Sequence, residues 1–259
     1  EENGRVVGNA SVSRMLPDGK RWMIGNVAVH PDYRRRGIAR RLTWAAVELI
    51  REKGGRWALL DVRHDNVAAY ELYQQMGFHK IDSYTELRLD DVPRVVFAPS
   101  AERPIRLRRG GDWLGLYELV RASTPPEAQT VMPLRKGDFR SAPLSSLVNT
   151  LRSVTGLAST KRFVMEIHRR VAGTLEMTLR SSNRPCRFSL TAHPDFSGPV
   201  EDDLVSFALQ RIGPRRGQIV IAEISTANAL ASRALARFGF VEARTLHRFA
   251  REIPRRAAG

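Results

Sequence analysis

The chain has 259 residues, of which 42% are hydrophobic, enough for the core of one large domain or of two small ones. No apolar run reaches the roughly 18 residues needed to cross a bilayer, so a membrane-spanning protein is not expected. The single cysteine, Cys186, excludes an internal disulfide and favours a cytoplasmic setting. A formal net charge of +15 would attract anions, either nucleic acid or a phosphorylated cofactor.

The first third of the chain predicts alternating strands and helices. A helix is expected over 37–53, because apolar residues such as Ile38, Leu42 and Leu49 follow the helical period. Asp65 or Asn66 can cap a second helix, which stops at Gly77. Strands are expected over 5–15, 22–29 and 57–62, followed by a final pair over 78–89. This order predicts an α/β fold with a mixed, mostly antiparallel sheet flanked by helices.

The same pattern returns later in the chain. His30 and His193 lie 163 positions apart, and Asn66 and Asn228 lie 162 apart. Gly77-Phe78 and Gly239-Phe240 keep the spacing of 162. Such a register indicates two copies of one fold. The predicted organisation is a first domain over 1–92, a proline-containing linker over 93–104 and a second domain over 105–259.

The two copies differ in their beginnings. The second has a short strand, a helix near 111–122, further helical sequence and a strand near 162–170 before the shared pattern starts. The first opens with Asn3-Gly4, a tight hairpin turn that needs a strand before it. The first copy is therefore expected to lack its N-terminal strands and helices in this sequence.

The stretch "VAVHPDYRRRGIARRL", residues 27–42, combines a strand, an arginine-rich turn and a helix start. The first amides of a helix are free of helical partners and lie at the positive end of its dipole. Gly37 would let the backbone approach a ligand, and the surrounding arginines would add positive charge. A solvated basic helix start is the alternative, but the position between strand and helix favours a pyrophosphate site.

This stretch resembles the acyl-CoA-binding segment of the GNAT N-acetyltransferase superfamily, whose Q/R-x-x-G-x-G/A pattern is matched by Arg34, Gly37 and Ala39. "DNVAAYELYQQMGF", residues 65–78, resembles the next segment of that family. The resemblance implies that acetyl-CoA is the co-substrate, that no metal is needed, and that Asn66 lies near the pantetheine. It implies that strand backbone holds the pantetheine and turn amides hold the pyrophosphate. The residues implied for the pantetheine are Val27, Ala28 and Val29. Those implied for the pyrophosphate are Arg34, Arg35, Arg36, Gly37, Ile38, Ala39 and Arg40.

The resemblance also implies that Tyr73 is the general acid that reprotonates the departing thiolate. Tyr70 and Tyr73 share a helix face with Asn66, although Tyr73 could instead be a core aromatic and Tyr70 could touch the substrate. No carboxylate occupies the strand before the turn, where many family members carry a glutamate. His30, His64 and Asp61 are the alternatives for a general base, beside a water relay or a group outside this sequence.

The second copy lacks this chemistry. Its turn carries Pro199, which has no backbone donor, followed by Glu201, Asp202 and Asp203, which would repel a pyrophosphate. Leu235 stands where the first copy has Tyr73. The second domain is thus predicted to keep the fold and to have lost the cofactor site.

Together these features predict an N-acetyltransferase that moves the acetyl group of acetyl-CoA to a primary amine of a small molecule or peptide. The alternatives are a non-catalytic acyl-CoA-binding or scaffold protein and, as a minor one, an acetyltransferase like mycothiol synthase. A nucleic-acid partner is not expected, since Arg and Glu alternate in "ELIREKGGR". A homodimer remains open.

Overall fold

The computed structural model describes residues 4–15, 18–94, 98–140, 159–179, 185–214 and 217–254. Backbone contacts divide the chain into two compact units, the first formed by residues 1–83 and 246–259 and the second by residues 84–245. Both boundaries between the units, at residues 83/84 and 245/246, fall inside strands. No helix in the described ranges is long and apolar enough to cross a membrane.

The first unit contains a mixed sheet in the order β1-β2-β3-β10. Strand β2 is antiparallel to β1 and parallel to β3, whereas β10 is antiparallel to β3. Its core joins the helices to the sheet through buried side chains such as Val47, Leu60 and Phe249. Its elements are β1 (Gly8–Arg14), β2 (Arg21–Val29), a 3-10 turn (Pro31–Tyr33), α1 (Ile38–Glu52), β3 (Trp57–Arg63), α2 (Val67–Gln75), the start of β4 (His79–Leu89) and the end of β10 (Val241–Glu252).

The second unit contains a sheet in the order β4-β9-β8-β7-β6-β5. Its largest apolar cluster packs the helix that follows β8 against strands β7, β8 and β9. Its elements are β5 (Ile105–Leu107), a 3-10 turn (Gly110–Asp112), α3 (Trp113–Ser123), α4 (Pro126–Val131), α5 (Lys136–Arg140), β6 (Ser159–Ile167), β7 (Arg170–Leu179), β8 (Cys186–Ala192), a 3-10 turn (Pro194–Phe196), α6 (Pro199–Ile212), β9 (Val220–Ser225) and α7 (Ala229–Arg237).

The last strand of each repeat belongs to the sheet of the other repeat's unit. In the first unit, β10 pairs with β3 from Leu246–Arg63 to Glu252–Trp57. In the second unit, β4 pairs with β9 from Tyr84–Ser225 to Leu89–Val220. The two repeats have therefore exchanged their C-terminal strands.

The mixed α/β fold with two tandem copies is confirmed. The copies agree in detail: the Nδ1 atoms of His30 and His193 accept bonds from the amides two residues later, and Asn66 and Asn228 cap α2 and α7. One prediction was wrong. Residues 79–89 form one continuous strand and not a pair, since no Gly or Pro interrupts their alternation. Cys186 is a buried residue at the start of β8.

The predicted domain limits divide the chain by the order of the repeats, whereas the two units are defined by backbone contacts. The predicted limits remain a prediction. The described residues of the predicted linker 93–104 belong to the second unit, where Arg103 pairs with Asp203 at 2.6 Å. The hairpin predicted at Asn3-Gly4 includes residues that lie outside the described ranges.

Candidate functional site

In the first unit, β2 and β3 part from each other near the middle of β2. Their parallel pairing runs from Arg21–Trp57 to Met23–Leu59, and both strands then continue separately to their carboxyl ends. The predicted pantetheine residues Val27, Ala28 and Val29 lie on this separated part of β2. Their backbone groups thus border an opening in the sheet on the β3 side.

A bulge shapes the same part of β2. The β1–β2 register passes from Asn9–Ala28 to Ser11–Gly25, so β2 has one extra residue between these pairs. Asn26, in the extra stretch, has a φ of 52°, and its Nδ2 donates to Ser11 Oγ at 3.1 Å. A bulge turns the following backbone away from the regular ladder. In the second unit, the register from Gly173–Ala192 to Thr178–Arg187 contains no such shift.

The arginine-rich turn forms a concave arrangement of amides at the start of α1. Gly37 has a φ of 72° and caps the helix without a side-chain bond, and Arg35 also has a positive φ of 62°. The first helical bond runs from the amide of Arg41 to the carbonyl of Gly37, at 3.0 Å. The amides of Gly37, Ile38, Ala39 and Arg40 therefore precede the helical ladder, as an anion site requires.

Two of the arginines at this turn donate to neutral groups. Arg34 Nε donates to the carbonyl of Val29 at 3.3 Å, and Arg40 Nη2 donates to Gln75 Oε1 at 2.7 Å. The guanidinium of Arg36 stacks on the ring of Tyr33 at 5.0 Å. Arg34, Arg35, Arg36 and Arg40 are all exposed. Their positions favour binding of a multiply charged anion.

The α2 residues occupy different environments. Asn66 is exposed and caps α2, with its Oδ1 accepting the amide of Ala69 at 3.1 Å. Tyr70 is half-buried, and its ring lies edge-on to Phe249 at 5.1 Å. Tyr73 is 7% exposed and contacts the side chain of Thr43 on α1. Burial raises the pKa of the Tyr73 hydroxyl, which keeps it protonated.

Residues 1–78 match the family model described as the Acetyltransferase (GNAT) family. The match covers the first repeat as far as the end of α2. The chain is 32% identical over 79 residues to the [Ribosomal protein bS18]-alanine N-acetyltransferase of Escherichia coli strain K12, covering 30% of this chain and 51% of that relative. It is 37% identical over 81 residues to the mycothiol acetyltransferase of Nocardiopsis dassonvillei, covering 30% of this chain and 23% of that relative. The chain thus spans about half of the first relative and less of the second.

A solved tandem GNAT protein from the clavulanic acid biosynthesis pathway has the same fold. The match has a TM-score of 0.61 at 21% identity, and it covers 97% of this chain and 81% of that protein. At this identity the likeness concerns the fold alone. It includes both repeats, so this chain shares the two-repeat fold of that protein.

In the second repeat, a side chain of the helix occupies the amide that precedes the helix start. Gly198 precedes α6 with a φ of 116°, and its amide donates to Glu201 Oε2 at 2.7 Å. Asp202 pairs with Arg237 at 2.6 Å, and Asp203 pairs with Arg103. The sequence predicted that three carboxylates would repel phosphate here. In the structure, Glu201 accepts the Gly198 amide, and Asp202 and Asp203 are paired with arginines.

The three candidates for a general base lie in different surroundings. His30 packs against Tyr33 on the turn side, and His64 is exposed after β3. Asp61 is half-buried, lies on β3 two residues beyond its last pair with β2, and forms a two-point ion pair with Arg248. Among the described residues no three His, Cys, Asp or Glu side chains group as a metal site; the absence of a metal stays a prediction.

Sequence reasoning missed the contributions of Thr43 and of strand β10. Thr43 is fully buried on α1 and donates to the Ala39 carbonyl at 2.8 Å, and only its helical spacing from Ala39 hinted at a role near the turn. Arg248 lies 187 positions from Asp61 in the other repeat. Nothing in the spacing of the repeats pointed to this contact.

Proposed function

We propose that the first repeat is a GNAT domain that binds acetyl-CoA and transfers its acetyl group to a primary amine. The observation that carries this proposal is the coincidence, in one repeat only, of the bulged open strand and the arginine-flanked helix start. The pyrophosphate would bind the amides from Arg35 to Arg40, and the pantetheine would lie along Val27 to Val29, near Asn66. A cytoplasmic location remains part of the proposal.

In the proposed reaction the amine nitrogen forms a bond to the acetyl carbon, and the carbon–sulfur bond breaks. The backbone amide near Val29 would polarise the thioester oxygen. Asp61 would take a proton from the acceptor's ammonium group so that the neutral amine can attack, and Tyr73 would give its proton to the departing thiolate. Holding both reactants at the opening would contribute much of the rate enhancement.

The acceptor is proposed as an amine of a peptide or a small molecule. The relative that acetylates a ribosomal alanine makes peptide α-amines the first class to test. The mycothiol acetyltransferase match supports small amines as the second class. A non-catalytic CoA-binding protein is the rival function, and a tyrosine at position 73 of α2, where it could reprotonate the thiolate, argues for catalysis.

The experiment combines binding with turnover. CoA should raise the melting temperature of the protein, and thiol release from acetyl-CoA should accelerate with an alanine-initiated hexapeptide or with 1,4-diaminobutane. A Gly37→Glu variant serves as the inactive reference. Stabilisation by CoA without acetyl transfer to either amine would support the scaffold function, and the lack of any CoA effect would overturn the proposal.

A further inference from the structure

Three charged side chains lie side by side across neighbouring strands of the first unit. Asp61 on β3 is the register partner of Arg248 on β10. Arg248 donates from Nε to Oδ1 of Asp61 at 2.9 Å and from Nη2 to Oδ2 at 3.0 Å. Across the sheet, the start of β4 lies next to β10 on the side away from β3, and the 2.8 Å contact between Ser83 Oγ and His247 Nδ1 fixes the alignment of these two strands. Asp82 is therefore the neighbour of Arg248 on the other side.

This row lies on the sheet face opposite the helices. Leu60 and Val62 on β3 belong to the apolar cluster that includes α1 and α2. Side chains alternate along a strand, so Asp61 points away from that cluster. It is also the first residue with a charged side chain on β3 after the strand leaves β2. An amine that approaches the opening from this face would meet the Asp61 carboxylate.

The pairing restricts where that carboxylate can lie. Asp61 and Arg248 have side-chain exposures of 22% and 23%, so the pair is sheltered from water on most sides. Two parallel bonds from a planar guanidinium fix both the position and the plane of a carboxylate, which one bond from a lysine would not do. The guanidinium also acts on Asp82, whose pKa is raised by burial and lowered in part by this cation.

We propose that Arg248, donated by the last strand of the second repeat, is a positioning residue of the first repeat's catalytic centre. It holds the Asp61 carboxylate at the opening between β2 and β3, in the orientation needed to receive the acceptor's proton. The repeat without a cofactor turn thereby supplies part of the site in the other unit. This inference rests on the proposed acetyl transfer.

The test compares Arg248→Met, Arg248→Lys and the control Arg251→Met in the full chain. Arg251 lies on the same strand, where it donates to the Met76 carbonyl and stacks on Trp44, so it serves packing. Acetyl transfer to the alanine-initiated hexapeptide and to 1,4-diaminobutane is followed by thiol release. We expect Arg248→Met to lower kcat by roughly 10²-fold, the scale of a misplaced catalytic group.

The other readouts distinguish positioning from folding. The KM for acetyl-CoA should stay within about twofold in Arg248→Met, since the pyrophosphate turn is untouched. Arg248→Lys should recover part of kcat, and added guanidinium ion should raise the rate of Arg248→Met. Arg251→Met should lower the melting temperature and keep kcat.

The outcomes separate this inference from the proposed function. A wild-type protein that transfers acetyl groups, with Arg248→Met equally fast, overturns the positioning role alone. An Arg248→Met variant that loses kcat and CoA stabilisation together would also overturn it, because the residue would then act on the fold. A wild-type protein that acetylates neither amine overturns the proposed function and this inference with it.

Discussion

Substitutions at Gly37 can separate the backbone requirement of the turn from its charge requirement. Gly37 has a φ of 72°, and a Cβ placed on it would meet no atom within 4 Å. Alanine and glutamate therefore both fit, and both carry the same left-handed backbone cost of about 1–2 kcal/mol. For a chain of this size, that cost lowers the melting temperature by about 2–8 °C.

The two variants should differ in CoA binding. Alanine keeps the amides of the turn and their geometry, so its affinity should stay near that of the wild type. Glutamate adds a carboxylate beside the phosphates. Two like charges about 4 Å apart repel by about 4 kcal/mol at an effective dielectric of about 20, and by roughly half of that if the side chain turns towards solvent. Affinity should fall by roughly thirty- to thousand-fold.

Thermal melting with increasing CoA measures both effects in one assay. Without CoA, the two variants should melt at similar temperatures below the wild type. With CoA, Gly37→Ala should recover most of the wild-type shift, whereas Gly37→Glu should show almost none. Equal shifts in the wild type and Gly37→Glu would refute the placement of the pyrophosphate at this turn.

Three further substitutions test other parts of the molecule. Tyr73→Phe should lower acetyl transfer by roughly 10²–10⁴-fold with CoA affinity nearly unchanged, and full activity would make Tyr73 a core aromatic only. Burial raises the pKa of Glu201 above 4.5, so the folded state loses stability as pH rises through the raised pKa, and Glu201→Gln should gain in melting temperature over the wild type as pH rises. Burial likewise raises the pKa of Asp82 above 3.8, and Asp82→Asn should reduce the loss of stability with rising pH. Parallel pH–melting curves for either variant and the wild type would contradict those last two predictions.

Local features of the site could be predicted from sequence because they depend on neighbours in the chain. The glycine at the start of α1, the Asn66 cap and the arginines of the turn follow from residue types at short spacing. The repeat was visible because packing residues recur at one spacing. The same comparison predicted that the second turn is unsuited to phosphate, although it did not show that Glu201 binds the Gly198 amide.

The exchange of strands could not be predicted in this way. The pattern of β10 is the same whether it pairs with its own repeat or with the other, because either partner buries the same alternate residues. Phe249 packs in the core of the first unit, but nothing in the sequence around it indicates which unit it belongs to. The partner of Asp61 therefore became apparent only from the structure.

The number of CoA molecules bound per chain tests the central claim most directly. Isothermal titration should give a stoichiometry near one, because the first repeat offers open amides and the second has its Gly198 amide occupied by Glu201. Gly37→Glu should remove the binding signal. A stoichiometry near two, or one remaining site in Gly37→Glu, would contradict the assignment of the cofactor site to the first repeat alone.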